Sequence, residues 1–102
     1  MGSKFGLEYT DYFLKQWADL DRESKELIEK KLYLIKQNPF RFPKHQGYKR
    51  VFKIKITVGD KYSRLMYAVF MPNKESITVL GIFPRKHDYK DFERLFGYLR
   101  KL

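Results

Sequence analysis

The sequence predicts a single α+β domain, residues 1–102, in which an antiparallel-rich sheet carries a helical hairpin on one face and is followed by a C-terminal helix. Three patterns indicate this class: two amphipathic helical segments near the N-terminus, an alternating run at Val51–Val58, and an apolar helical stripe near the C-terminus. The predicted order is β-α-α-β-β-β-α. At 102 residues and 43% hydrophobic composition, the chain can bury a core without disulfides or metal.

The N-terminal third predicts a short strand followed by two helices. Thr10 or Asp11 can cap the first helix, and Asp21 can cap the second, which ends near Gln37 before Pro39. Because almost nothing separates the helices, we expect a helical hairpin. The apolar positions that mark the buried sides are Phe5, Leu7 and Tyr9 in the strand, Phe13, Trp17 and Leu20 in the first helix, and Leu27, Ile28, Leu32 and Ile35 in the second.

A basic, aromatic loop at residues 40–49 leads into the central strand, Val51–Val58, whose apolar and lysine positions alternate. Turn residues at 59–61 connect it to a second strand at 62–70, so we expect a hairpin. A second turn at 71–74 precedes a strand at 76–83 that is apolar on both faces and therefore belongs in the middle of the sheet.

Pro84 ends this last strand, and a polar loop is predicted at residues 85–89. Phe92, Leu95, Phe96 and Leu99 then give the terminal helix an apolar stripe. With the helices on one face of the sheet, we expect the other face to be open.

The net charge of +10 is concentrated in one part of the chain. Residues 30–59 contain nine of the 22 basic residues and no Asp or Glu, whereas the remainder is nearly neutral. A local excess of this kind favours a surface that binds a polyanion. Nucleic acid is favoured over a membrane surface, because no basic amphipathic helix accompanies the charge.

Several other classes of protein and site are disfavoured. The chain has no cysteine, no apolar run long enough to span a membrane and no signal-peptide core, so we expect a cytoplasmic protein without membrane association. It also has no Gly-rich phosphate loop and no metal-ligand spacing, and its two histidines lie far apart. We therefore expect no metal and no small-molecule cofactor.

The open face should carry Lys53, Lys55 and Arg64, with Arg85, His87 and Tyr89 at its rim. These are the groups that metal-free RNA cleavage by the 2′-hydroxyl requires: a base, a cationic clamp and an acid. The two arginines suit the clamp, and a lysine crowded by other cations suits the base. His87 titrates near neutrality, and Tyr89 can donate a proton or stack on a base.

Each of these residues also has an ordinary structural interpretation. The lysines can be solvated, Arg64 can neutralise a carboxylate, and Tyr89 can pack beneath the terminal helix. Phe52 and Tyr67 are predicted as core residues, and His45 is assigned no function. Convergence of the cations on one face is what favours a functional site over these interpretations.

The sequence resembles the RelE/ParE superfamily of toxins, and in particular the RelE branch. The resemblance lies in the run Arg50-Val-Phe-Lys-Ile-Lys-Ile, then Tyr-Ser-Arg-Leu-Met-Tyr-Ala-Val-Phe, then Ile-Thr-Val-Leu-Gly-Ile-Phe-Pro-Arg-Lys-His-Asp-Tyr. It implies a ribosome-dependent mRNA endonuclease. It also implies base or phosphate-binding roles for Lys53 and Lys55, a clamp formed by Arg64 and Arg85, and base stacking by Tyr89.

The same resemblance implies a cognate antitoxin, with the ribosome and mRNA as further partners. His87 corresponds to a histidine that other branches use as the acid. Basic residues flanking the site, Lys44, Lys49, Arg50 and Lys86, are predicted RNA contacts. Two alternatives stay open: a ParE-like protein that inhibits DNA gyrase, and a domain that binds RNA without cutting it.

Overall fold

The computed structural model describes residues 5–70, 75–84 and 86–102, without the side chains of residues 86–88. Within these ranges the elements are β1 (Gly6–Tyr9), α1 (Asp11–Ala18), α2 (Arg22–Gln37), β2 (Val51–Val58), β3 (Lys61–Phe70), β4 (Ser76–Pro84) and α3 (Lys86–Phe96). Short 3₁₀ turns lie at Pro39–Arg41 and Gly97–Lys101. The predicted α+β class and element order are confirmed.

The sheet has the strand order β1-β4-β3-β2, so that β4 lies between β1 and β3 as its apolar sequence predicts. β2, β3 and β4 form an antiparallel meander, whereas β1 pairs with β4 in parallel. A two-residue turn with Gly59 at φ +64° joins β2 to β3. The predicted turn at residues 71–74 lies outside the described residues.

Polar side chains cap the two N-terminal helices, and others attach α1 to the sheet. Thr10, one of the two predicted caps, accepts a hydrogen bond from the Phe13 amide (3.0 Å) and donates one to the Leu80 carbonyl (2.8 Å). Asp21 caps α2 by accepting from the Ser24 amide (2.8 Å), and hydrogen bonding to the Ser24 side chain, with the amide bond adding to it, lowers the pKa of Asp21. The Gln16 side chain both donates to and accepts from the Ile82 backbone. It thus takes the place of a strand partner for β4 beyond the end of β1.

An irregularity in β4 lets its apolar residues reach both faces of the sheet. The register of β3 against β4 shifts between Met66 and Tyr67, so that Leu80 is an extra residue in β4. Next to it, Gly81 has φ +156°, and a Cβ atom there would lie 2.9 Å from the Tyr12 ring. Glycine is therefore required by the close packing of α1 on this part of the strand.

The sheet is buried on both faces. The first core lies under α1 and α2 and includes Phe52 and Tyr67, which were predicted as core residues. The Tyr67 hydroxyl donates to the Pro39 carbonyl (2.6 Å), and burial raises the pKa of Tyr67. The second core lies under α3 and contains Val51, Tyr48, Met66, Ala68, Leu80, Phe83, Tyr89, Phe92, Phe96 and Leu99.

The second core corrects the expectation that one face of the sheet is open. The C-terminal helix covers most of that face, because its apolar stripe packs on Val51, Met66 and Leu80. The predicted loop at residues 85–89 is also wrong in part, since α3 already begins at Lys86. In the described structure, the end of this face that the β2–β3 hairpin forms stays accessible and carries Lys53, Lys55 and Arg64.

The outer edge of β2 is paired only at its start. The Lys53 amide donates to the Pro43 carbonyl (3.0 Å), and the His45 amide donates to the Val51 carbonyl (2.8 Å). Beyond Lys53, no backbone partner is found for this edge among the described residues. The loop at residues 42–48 thus forms a wall beside the uncovered part of the sheet.

Candidate functional site

An open groove of about 1280 Å³ lies where α3 leaves the sheet uncovered. Its walls are β2 and β3, the loop at residues 42–47, one residue of α2 and the inner side of α3. Of the residues that the structure describes, five cationic side chains and one carboxylate line it. The cations are Lys31, Lys53, Lys55, Arg64 and Arg100, and the carboxylate is that of Glu93.

The strand register brings three of the predicted site residues together. Lys55 lies directly opposite Arg64, and Lys53 follows on the same side of β2 because side chains alternate along a strand. Side chains opposite each other on paired strands have Cβ atoms about 4.5–5.5 Å apart. Lys55 and Arg64 carry like charges at neighbouring positions, so an anion bound between them is stabilised by both.

Arg64 does not neutralise a carboxylate of the described residues. Its Nη1 donates to the Ser63 carbonyl (3.2 Å), and none of the ion pairs found in the described part of the chain includes Arg64 or Lys55. A guanidinium has five N–H donors, so most of those of Arg64 can point toward a ligand in the groove. This geometry fits the predicted clamp.

Tyr89 is placed beside Lys53, but not as an exposed stacking surface. Its side chain is only 8% exposed, the Lys53 ammonium lies 5.3 Å from the centre of its ring, and His45 contacts the ring edge-to-face at 5.0 Å. Its φ of +60° is uncommon for a bulky residue. Stacking on a substrate base does not fit this placement, whereas a cation–π contact that positions Lys53 does.

A polar cluster at the α3 side of the groove was missed in the sequence. The Glu93 carboxylate accepts hydrogen bonds from the Tyr48 hydroxyl and from Arg100, both at 2.8 Å. Burial raises the pKa of Tyr48, and its hydrogen bond to Glu93 adds to this effect. Arg100 also lies over the Tyr48 ring, 5.1 Å from its centre. The cluster joins α3 and the following turn to the loop.

His45, which was assigned no function, is buried at the base of this cluster. It is 7% exposed, its Nδ1 has no hydrogen-bond partner within the described structure, and its Nε2 lies 3.8 Å from Glu93. Burial lowers the pKa of His45 below its usual 6.5, and the Lys53 charge lowers it further against the opposing effect of Glu93. Burial therefore favours the neutral form of His45, and the contact with Glu93 is an ion pair only when His45 is protonated.

One signal could have pointed to part of this cluster. Glu93 and Arg100 are seven residues apart, a spacing that places both on one side of a helix. The contacts of Glu93 with Tyr48 and His45 carry no such signal, because they depend on how α3 docks against a loop almost fifty residues earlier in the chain.

Some predicted residues are not brought into the groove. Lys44 and Lys49 are exposed and Arg50 is half-buried, but none of the three lines it. Arg85 lies outside the described residues, and the side chains of Lys86 and His87 are not described. Their predicted roles stay predictions.

Fold and groove together define a class: small α+β domains with a cationic groove on one face of the sheet. Solved structures identify the fold more closely. The chain matches the intact E. coli RelBE toxin-antitoxin complex (TM-score 0.68, 25% identity, 81% of this chain and 99% of that chain). It also matches the isolated E. coli RelE toxin (TM-score 0.66, 26% identity, 88% and 96%) and an archaeal RelE-RelB complex from Pyrococcus horikoshii OT3 (TM-score 0.60, 17% identity, 81% and 97%).

The chain therefore has the RelE-like toxin fold, as its sequence motifs predict. No protein-family model and no curated protein matches the sequence. In the described part of the chain, no helix is long and apolar enough to cross a membrane, and no three His, Cys, Asp or Glu side chains form a group that could hold a metal ion.

Proposed function

We propose that this chain is the toxin of a type II toxin-antitoxin pair and that it cleaves mRNA in the decoding site of the ribosome. The observation that carries the proposal is the convergence of Lys53, Lys55 and Arg64 in one groove of a RelE-like fold. The structural matches to a RelE toxin and to toxin-antitoxin complexes support the first part of the proposal. The chemistry of the groove supports the second.

In the proposed reaction, the ribose 2′-hydroxyl attacks the adjacent phosphorus, and the 5′-oxygen leaves with a proton. Arg64 binds the phosphoryl oxygens as negative charge builds up on them, because its planar guanidinium offers paired donors to two oxygens at once. Lys55 lies directly opposite Arg64, so a protonated lysine of β2 can add a second positive charge to the same phosphate. Arg85 is proposed to complete the clamp, as the sequence resemblance implies.

The proposed proton carriers are a lysine and a histidine. Lys53 or Lys55 takes the proton of the 2′-hydroxyl, as the sequence resemblance implies, and the lysine that stays protonated binds the phosphate. His87 supplies the proton to the leaving oxygen. Tyr89 acts as a positioning residue, because its buried ring holds the Lys53 ammonium at one side of the groove.

The proposed partner that controls this activity is a cognate antitoxin. A polypeptide with acidic groups would neutralise the groove cations, and its polar contacts over the same face would block RNA. The apolar stripe of α3 is not presented to such a partner on the surface, because Phe92, Phe96 and Leu99 are buried in the second core. A partner that replaces these contacts must therefore displace α3 from the sheet.

Primer extension along an mRNA in a cell-free translation reaction tests the proposal. The wild-type protein should cut within ribosome-occupied codons and leave mRNA intact when ribosomes are omitted. Arg64→Ala should abolish the cuts, whereas Lys15→Ala, which removes an exposed cation of α1, should not. Intact mRNA with unimpaired translation would overturn the proposal and leave gyrase inhibition as the alternative to test.

A further inference from the structure

A second groove of about 740 Å³ continues the first one toward the end of the β2–β3 hairpin. The two grooves share Lys31, Lys55 and Arg64, so a ligand bound at Arg64 in the first groove lies at the mouth of the second. The other residues that line the second groove are Leu27, Ile56, Thr57 and Tyr62. Neither Lys31 nor Tyr62 was among the predicted site residues.

Tyr62 belongs to the same face of the sheet as the cationic cluster. It pairs with Thr57, and it lies two positions before Arg64 along β3, which puts the two side chains on one side of the strand about 7 Å apart. Its side chain is 80% exposed, the highest value among the exposed large hydrophobic residues of the described chain. No ring stacks on it within the described structure.

This arrangement combines the two features by which proteins hold single-stranded nucleic acid. Lys31, Lys55 and Arg64 offer positive charge for successive phosphates, and the uncovered face of Tyr62 offers a surface for a base. Leu27 and Ile56 supply the apolar part of the lining. Base stacking on an aromatic side chain is tolerant of sequence, because every base has a π-face.

We propose that the second groove is a subsite for the nucleotide next to the cleaved phosphate, with Tyr62 stacking on its base and Lys31 binding its phosphate. The inference rests on the proposed function and adds to it that the substrate is an unpaired RNA strand extending past Arg64. A base paired within a duplex has no free face for Tyr62, so the subsite selects single strands.

Fluorescence anisotropy with labelled 2′-O-methyl RNA tests the subsite without cleavage. A short single strand fills the first groove, and a longer one reaches the second as well. Wild-type protein should bind the longer strand more tightly. Tyr62→Ala should weaken binding of the longer strand by roughly five- to hundredfold and leave the short strand unaffected, which is the range expected for loss of one base stack.

Two matched variants separate stacking from a general loss of an exposed tyrosine. Tyr62→Phe keeps the ring and should bind both strands as the wild type does. Tyr33→Ala removes a tyrosine of α2 that is 63% exposed and does not line either of the two grooves, so it should change neither affinity. Lys31→Ala should weaken binding of both strands, because Lys31 lines both grooves, so its effect differs from that of Tyr62→Ala.

Equal affinity of the wild type for both strands would overturn the subsite, as would an unchanged affinity of Tyr62→Ala for the longer strand. If Arg64→Ala weakens binding of both strands while Tyr62→Ala weakens neither, only the subsite is wrong, and the proposed cleavage stands. Failure of the proposed function appears instead in the translation reaction, as intact mRNA with a wild type that still binds RNA.

Discussion

The dependence of RNA affinity on salt measures how many groove cations contact phosphate. For single-stranded RNA, each neutralised phosphate contributes about −0.7 to the slope of log K against log salt concentration. We count Lys31, Lys55 and Arg64, which line both grooves. Arg100 is left out because it is paired with Glu93, and Lys53 because its ammonium lies on the Tyr89 ring.

Three contacts give a slope of about −2.1, and Arg64→Ala should reduce it to about −1.4. Between about 50 and about 200 mM salt, the wild-type affinity should fall about 20-fold and that of Arg64→Ala about 7-fold. The measurement is an anisotropy titration with non-cleavable single-stranded RNA at several salt concentrations. It needs no ribosome and no knowledge of codon preference.

Lys15→Ala is the control, because it also removes one positive charge but from an exposed position outside both grooves. Its slope should equal that of the wild type. The reasoning is refuted if Arg64→Ala keeps the wild-type slope. It is equally refuted if Lys15→Ala lowers the slope as much as Arg64→Ala does, since net charge alone would then account for binding.

Three further predictions concern stability. Tyr67→Phe leaves a buried carbonyl without its donor and should lower the free energy of unfolding in urea by about 1–3 kcal/mol, whereas Tyr98→Phe, at an exposed position, should not change it. Because burial lowers the pKa of His45 below its unfolded value of 6.5, stability should be full above pH 6.5 and decline as the pH falls toward the lower pKa of the folded state. His45→Gln should flatten this dependence of the urea midpoint on pH, and a stability that rises on acidification would contradict the assignment. Gly81→Ala should lower the melting temperature by roughly 4–8 °C for each kcal/mol of unfolding free energy that is lost. Gly6→Ala should leave the melting temperature unchanged, because a Cβ atom added at Gly6 has no atom within 4 Å.

The parts of the fold that could be predicted are those set by local sequence. Thr10 and Asp21 cap helices because their side chains bond to amides three residues later, and the register of β2 against β3 follows from a two-residue turn. The same locality explains why Lys53, Lys55 and Arg64 were placed on one face correctly. All three positions follow from alternation within one hairpin.

The parts that could not be predicted depend on contacts between distant segments. Val51 shares a face with the two lysines of β2, and only the docking of α3 makes its part of that face a core. The register shift at Leu80 changes which residues of β4 point toward α3, and a continuous apolar run gives no sign of it. In the sequence, Glu93 has the pattern of a solvated residue of an amphipathic helix. Its hydrogen bonds with Tyr48 and Arg100 depend on the three-dimensional structure.

The lysines of β2 have a second role, because the outer edge of this strand is partly unpaired. An edge strand with free amides and carbonyls can pair with a strand of another molecule, and charged side chains on the edge oppose this. Lys55 stands on the stretch that the loop leaves uncovered, between the apolar residues Ile54 and Ile56. A variant that replaces both Lys53 and Lys55 by apolar residues would remove this protection along with the RNA contacts. Its loss of activity would then have to be separated from self-association, by comparing its oligomeric state with that of the wild type at the same concentration.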